Sequence, residues 1–360
     1  MLLPRKGFIL VFFCWYPLIH VASFASHNDK INKIDSSLMA TTTTTTTSSS
    51  AWPNNRQPLK GIIPPLVTPL LDPQTIDREG TRRVIEHVLQ GGITGIFLLG
   101  TTGEGPSLSY ANRKEFIQLC SSIVQGRVPI LVGITDPSFT ETIQMVDCAK
   151  QAGATAIVLT APFYFPISQP ELLNYVRTVL ESIGDMPLML YNMPGLTKVW
   201  FELETLKELA KEQNIVGIKD SSGDLEYFAQ LCELRRQLRP DWTILMGPEH
   251  LTAKAIQLGA DGGVNGGANV EPELFVELCQ AAIQGDAERV GKLQERIDAF
   301  QAIYRVGQGF RFVVATKCAM SVRKLCSDVM ALPFTSFSPS EQQQIRNVLD
   351  NLPSVVLRPR

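Results

Sequence analysis

Lys219 closes the apolar run from Asn214, so its ammonium projects from the end of a buried strand. Two roles suit a lysine so placed: a structural ion pair, or a nucleophilic amine. Desolvation lowers a lysine pKa, and the neutral amine can attack a carbonyl to give a Schiff base. The adjacent Asp220 offers either a salt-bridge partner or a cap for the next helix. Tyr191 ends a second apolar run, beginning near Met186. A phenol there shuttles a proton or stacks in the core. A third run ends in Gly100, Thr101, Thr102, Gly103, Glu104 and Gly105. Two hydroxyls and several backbone N–H groups beside glycines make a cradle for a carboxylate or phosphate. The spacing matches neither common nucleotide-binding loop, and the structural alternative is a hydroxyl-capped turn. Tyr164 lies in an aromatic stretch between Pro162 and Pro166, which reads as an interface or lid.

Other chemistries find little support. His87 and His250 show no paired metal-ligand spacing, so no metal is expected. No G-x-S-x-G elbow announces a serine nucleophile. Lys plus Arg is 33 against 35 Asp plus Glu, a net charge of −2. Such a balance gives no electrostatic footprint for nucleic acid. A hydrophobic content of 44% is too high for a disordered chain. No apolar run outside the N-terminus approaches a membrane span. Cys120, Cys148, Cys232, Cys279, Cys318 and Cys326 are scattered with no C-x-x-C pair, as for small buried hydrophobes in a reducing compartment.

The elements that must hold these residues follow one grammar. Apolar runs start near Gly61, Ile93, Val128, Thr155, Met186, Asn214, Trp242 and Asp261, which makes eight. Helix-like stretches separate them: Arg82 to Leu89, Arg113 to Val124, Thr140 to Gln151, Glu171 to Ser182 and Glu204 to Glu212. Gly91, Gly153 and Gly259 stand where left-handed helix caps are expected. The segments from Leu89, Lys150 and Gln257 repeat the order helix end, Gly, apolar strand. Strands apolar throughout are buried on both faces, hence parallel. Eight such units predict a (β/α)8 barrel, with an open doubly wound sheet as the alternative. Helical stretches from Glu273 to Ile283, Ala287 to Tyr304, Phe312 to Leu325 and Pro339 to Leu352 are too many for one barrel helix. They predict a C-terminal helical appendage over about 286–352, within a folded part at 59–360.

Residues 1–58 stand apart from that fold. Arg5 and Lys6 precede an apolar stretch from Gly7 to Ala22, interrupted by Pro17 and His20. Thr41 to Ser50 is only Thr and Ser, which cannot build a core. Three readings compete: a secretory signal, a two-part organelle leader, or upstream sequence before a start at Met39. The remainder suggests a cytoplasmic protein, export or organelle targeting being the alternative.

An amine, a phenol and a Thr-Thr cradle at three strand ends meet the needs of a 2-oxo acid. With VTP at Val67 to Pro69, GTTGE at Gly100 to Glu104, YNMP at Tyr191 to Pro194 and GIKD at Gly217 to Asp220, the chain resembles the dihydrodipicolinate synthase and N-acetylneuraminate lyase family. The resemblance runs from about Leu59 to Leu352. It implies a class I aldolase that makes or breaks a C–C bond through a lysine imine of pyruvate, with an aldehyde as partner. It implies Lys219 as the Schiff-base lysine, Tyr191 as the proton shuttle and Thr101 as its relay. Thr101, Thr102 and the Gly103 loop would hold the carboxylate, with Val264 and Asn265 beside the pyruvate-derived part. Tyr164 would reach a neighbouring subunit's site in a homodimer or homotetramer. No metal or organic cofactor is implied.

One position departs from the pattern. Dihydrodipicolinate synthases usually carry an Arg two residues after the proline of the YNxP motif, where it binds the second substrate's carboxylate. Here that residue is Leu196, which cannot make a bidentate contact. Lys198 is the nearby substitute. The hydroxyls between Lys219 and Asp224, with Asn265, suit a polyol or hydroxy acid better. 4-Hydroxy-tetrahydrodipicolinate synthase proper, a sugar-acid dehydratase and a non-catalytic 2-oxo-acid-binding barrel remain alternatives.

Overall fold

The computed structural model describes residues 59–309 and 311–357. The leader, with Cys14 and Met39, lies outside the described residues, as do 358–360.

Ten strands are described: β1 (Gly61–Ile62), β2 (Leu70–Asp72), β3 (Thr75–Ile76), β4 (Ile96–Leu98), β5 (Ile130–Gly133), β6 (Ala156–Thr160), β7 (Leu188–Asn192), β8 (Ile215–Asp220), β9 (Thr243–Met246) and β10 (Gly262–Gly263). Eight form one parallel sheet in the order β1-β10-β9-β8-β7-β6-β5-β4. These are the eight expected apolar runs. The sheet is curled, and backbone hydrogen bonds join the segments around its two edge strands, β1 and β4. Thr94 N–H donates to Ile62 O at 2.9 Å, Phe97 N–H to Pro64 O at 3.0 Å and Leu66 N–H to Phe97 O at 2.8 Å. Such a seam is consistent with the expected barrel. The antiparallel hairpin of β2 and β3 was not anticipated; its five residues are too few for a periodic signal.

Side-chain alternation sorts two cores. Phe97, Leu131, Val158, Met189, Tyr191 and Leu245 pack together inside the curl. Their sequence neighbours, such as Ile96, Val132, Ile157 and Leu190, pack outward against the helices. A sheet covered on both faces needs apolar residues at every position, which is why the runs do not alternate.

The helices follow the expected stretches, extended at their starts by capping residues. Asp77 accepts from Gly80 N–H and opens the helix Arg78–Gln90, whose Val84, Ile85 and Val88 are buried. Loss of such a cap costs about 1 kcal/mol. Two expectations fail locally. Gly91 is right-handed at φ −66, and Gly92 takes the left-handed turn at φ 72. Gly91 is needed for another reason: a Cβ there would run into Pro272. The stretch from Ala287 ends as an α-helix at Phe300 and continues as a 3-10 turn, Gln301–Arg305. Helices Phe312–Val322 and Pro339–Asp350 come last. No helix among the described residues is long and apolar enough to cross a membrane.

Candidate active site

β7 and β8 bring the two central residues together. Tyr191 is the direct Cα partner of Lys219, and Asn192 of Asp220. Lys219 is buried, with Nζ 4.0 Å from the Tyr191 ring centre and 5.2 Å from that of Phe97. Both rings belong to the inner core, so the ammonium points into the curl. No ion pair among the described residues includes Lys219; buried pairs are made instead by Arg113, Arg235, Arg289 and Lys317, among others. Asp220 is neither partner nor cap. Its carboxylate accepts from Asn192 Nδ2 at 2.7 Å and from Ser222 Oγ at 2.9 Å, while Asp224 caps the next helix. Adjacent strand residues face opposite sides, which separates Asp220 from the amine.

The Thr101 hydroxyl lies 3.4 Å from the Tyr191 hydroxyl. That is long for an O–H···O bond but close enough to tighten around a ligand. Burial pushes the Tyr191 phenol up, but the Lys219 ammonium and hydrogen bonds to Thr101, Ser221 and Lys219 hold it below its ordinary value. The same ammonium that stacks on the ring therefore favours the phenolate.

A cavity of about 270 Å³ is lined by Thr101, Thr102, Tyr191, Lys219, Ser221 and Val264, among others. A second cavity, of about 170 Å³, shares Thr101, Tyr191 and Met193 and extends to Leu196. Gly103 and Asn265 line neither. Gly103 presents its carbonyl to Thr68 Oγ1 at 2.7 Å. Asn265 is fully buried and donates to the Gly247 carbonyl at 3.2 Å, so its amide is engaged in holding the strand end. Tyr164 stands outside both cavities, 83% exposed, with φ 87 and its ring against Phe165. Lys198, at φ 63, turns its ammonium back to Gly195 O at 2.9 Å rather than toward the cavities.

Several lining residues escaped the sequence reading. Phe97 was findable as the inward member of its strand. Glu249 was not, because it follows a strand end in a segment with no motif. It is buried, accepting from Gly267 N–H and Gln301 Nε2, both at 2.6 Å, and from the Tyr304 hydroxyl at 3.0 Å. Burial pushes its carboxyl above the ordinary value despite those donors. Gln301 and Phe312, from the C-terminal segments, also reach the cavity wall.

Residues 58–352 match the model of the dihydrodipicolinate synthetase family. The dihydrodipicolinate synthase of Bacteroides thetaiotaomicron is 45% identical, with a TM-score of 0.80 over 82% of this chain and 99% of that one. YagE of Escherichia coli, a protein of the dihydrodipicolinic acid synthase family solved in complex with pyruvate, is 29% identical, with a TM-score of 0.77 over 81% of this chain and 97% of that one. An Escherichia coli protein named "Probable 2-dehydro-3-deoxy-D-pentonate aldolase YjhH" is 31% identical over 76% of this chain and 90% of its own length. A curled parallel sheet with a buried lysine and a tyrosine at adjoining strand ends, in this company, defines a lyase of the aldolase type. The chain belongs to the dihydrodipicolinate synthetase family.

Proposed function

We propose that the protein is a pyruvate-dependent Schiff-base lyase whose second substrate is an aldehyde without a carboxylate beside Leu196. The observation that carries this reading is the buried Lys219 ammonium, in no ion pair among the described residues and stacked on Tyr191, whose hydroxyl faces Thr101. The neutral amine attacks the carbonyl carbon of a 2-oxo acid. The carbinolamine loses water to give the imine. Loss of a proton from the adjacent carbon gives the enamine, whose carbon bonds to the aldehyde carbon while the aldehyde oxygen gains a proton. Water then releases the product and restores the amine; the reverse sequence cleaves the bond.

In this mechanism Tyr191, relayed by Thr101, moves the protons. Thr101, Thr102 and the N–H groups around Gly103 hold the carboxylate, with Val264 against the pyruvate-derived carbon. Asn265 supports the site from beneath. The pyruvate complex of the similar Escherichia coli protein supports the choice of 2-oxo acid. Leu196 and the Ser221 hydroxyl favour a hydroxylated aldehyde over one bearing a carboxylate. The second reading is 4-hydroxy-tetrahydrodipicolinate synthase, favoured by the name of the 45% identical structure.

We further propose that 59–360 is one closed (β/α)8 barrel with a C-terminal helical appendage, working in the cytoplasm without a cofactor. Tyr164 and Phe165, 83% and 71% exposed, form the contact with a second copy in a dimer or tetramer. Borohydride reduction with pyruvate tests the central claim. A reduced pyruvate adduct on Lys219, absent from Lys219→Ala, is expected; no adduct on the wild type would overturn it. Aspartate semialdehyde turnover that exceeds cleavage of sugar-derived 2-oxo acids would favour the second reading.

A further inference from the structure

The Glu104 and Lys317 side chains are both fully buried and form an ion pair, Nζ to Oε1 at 2.5 Å. The other Glu104 oxygen accepts from Ala331 N–H at 2.8 Å. These contacts tie the threonine loop to residues more than 200 positions away, on the helix Phe312–Val322 and the segment after it.

The loop needs such a tie. It holds two non-glycine residues in left-handed backbone, Leu99 at φ 58 and Glu104 at φ 56. Each costs on the order of 1–2 kcal/mol and persists only where its surroundings over-determine it. The loop also has no slack, since a Cβ at Gly103 would lie 2.7 Å from Leu66 O. Its far end is clamped separately, by Arg113 donating to Leu108 O at 3.0 Å and Pro106 O at 3.3 Å. Thr101 and Thr102 lie directly before the Glu104 clamp, between it and the left-handed Leu99.

A buried ion pair is a weak source of stability, because desolvation cancels much of the attraction. What it supplies is direction. An ammonium and a backbone N–H together accept one position of the carboxylate and hence of the loop.

We propose that Glu104 and Lys317 are positioning residues that set Thr101 against Tyr191 and Thr102 against the substrate carboxylate. The C-terminal helices then complete the site. This deepens the Schiff-base reading and rests on it for its catalytic meaning.

The test uses pyruvate alone. Imine–enamine interchange exchanges the pyruvate methyl protons with D2O, a rate readable by NMR. Glu104→Gln/Lys317→Met removes both charges together, avoiding a stranded buried ion. With circular dichroism and cooperative unfolding unchanged, exchange should fall about 100-fold, the scale of a 1 Å misplacement. Thr101→Val should slow the wild type comparably yet add little to the double variant, because groups acting as a unit are non-additive. A folded double variant exchanging within about twofold of wild type, or a full additional loss from Thr101→Val, would overturn the proposal. If that double variant misfolds, Glu104→Gln/Lys317→Gln, which also removes both charges together, is read the same way. Should the wild type show neither exchange nor a borohydride adduct, the Schiff-base reading fails. Positioning is then judged by ultraviolet titration of the Tyr191 phenol against a Tyr191→Phe blank. A higher titration midpoint in the variant upholds it, and an unchanged midpoint overturns it.

Discussion

Val216 and Lys219 point into the same interior, although they stand three positions apart on one strand. In a regular strand they would face opposite sides. The register explains it: Leu188 pairs with Ile215, but Met189 pairs with Gly217, so β8 carries one residue more than β7 across that step. The bulge restarts the alternation. It turns Lys219 inward and sets it opposite Tyr191, whereas an unbroken register would point the amine at the helices.

Gly217 makes that bulge fit, because a Cβ there would run into the Thr243 carbonyl of β9. Gly217→Ala should destabilise the protein by about 1–3 kcal/mol, the usual range for overpacking. It should also reduce pyruvate trapping at Lys219 in the fraction that remains folded. Urea unfolding and borohydride labelling measure the two effects.

Lys219 favours the Tyr191 phenolate by its charge. Lys219→Met should therefore raise the pH at which that phenol ionises, read by ultraviolet difference titration against a Tyr191→Phe background. Tyr191→Phe itself should slow methyl-proton exchange about 100-fold or more, the range for losing a proton-transfer group. An exchange rate equal to wild type would remove Tyr191 from the mechanism.

Leu196 lines the second cavity and is 42% exposed, so a longer side chain has room. Leu196→Arg should lower KM for aspartate semialdehyde, since guanidinium and carboxylate pair bidentately. A charge-assisted contact of about 1.5–3 kcal/mol corresponds to roughly 10- to 150-fold. An unchanged KM would place the aldehyde elsewhere.

Glu249 is raised above its unfolded value of 4.5 by burial. Its contribution to stability is present below that value and is lost as pH rises through the higher folded value. Glu249→Gln should therefore show a flatter fall of stability with rising pH, gaining on wild type toward neutrality. Urea midpoints measured from about pH 4 to about pH 8 test the sign.

Tyr164 carries left-handed backbone and an exposed ring beside Phe165. Tyr164→Ala/Phe165→Ala should shift the protein toward monomer in sedimentation velocity, with secondary structure intact. Identical sedimentation of variant and wild type would mean that the oligomer, if formed, uses another face.

The eight apolar runs were legible because a strand covered on both faces must be apolar throughout. Helix stretches were legible through their 3.6-residue stripes. Lys219, Tyr191, Thr101 and Thr102 were legible as chemically capable residue types at strand ends and in a glycine loop. Their convergence was not. Asn265 looked available for substrate as an amide after a strand, yet its donors are taken by carbonyls of the β9 end. Asp220 read as either a salt-bridge partner of Lys219 or a helix cap, but adjacency on a strand separates the two side chains and Asp224 takes the cap.

The sequence by itself determined the βα alternation and the residue types offered at each strand end. These follow from local periodicity and short motifs. Only the tertiary structure decided which groups meet. The inward turn of Lys219 depends on a bulge relative to β7, which Gly217 permits but whose register only the pairing with β7 fixes. The Glu104–Lys317 tie spans 213 residues and joins the threonine loop to a helix that carries no motif. Burial and pairing at the site depend on what packs from elsewhere in the chain, so they appear only when the chain is folded.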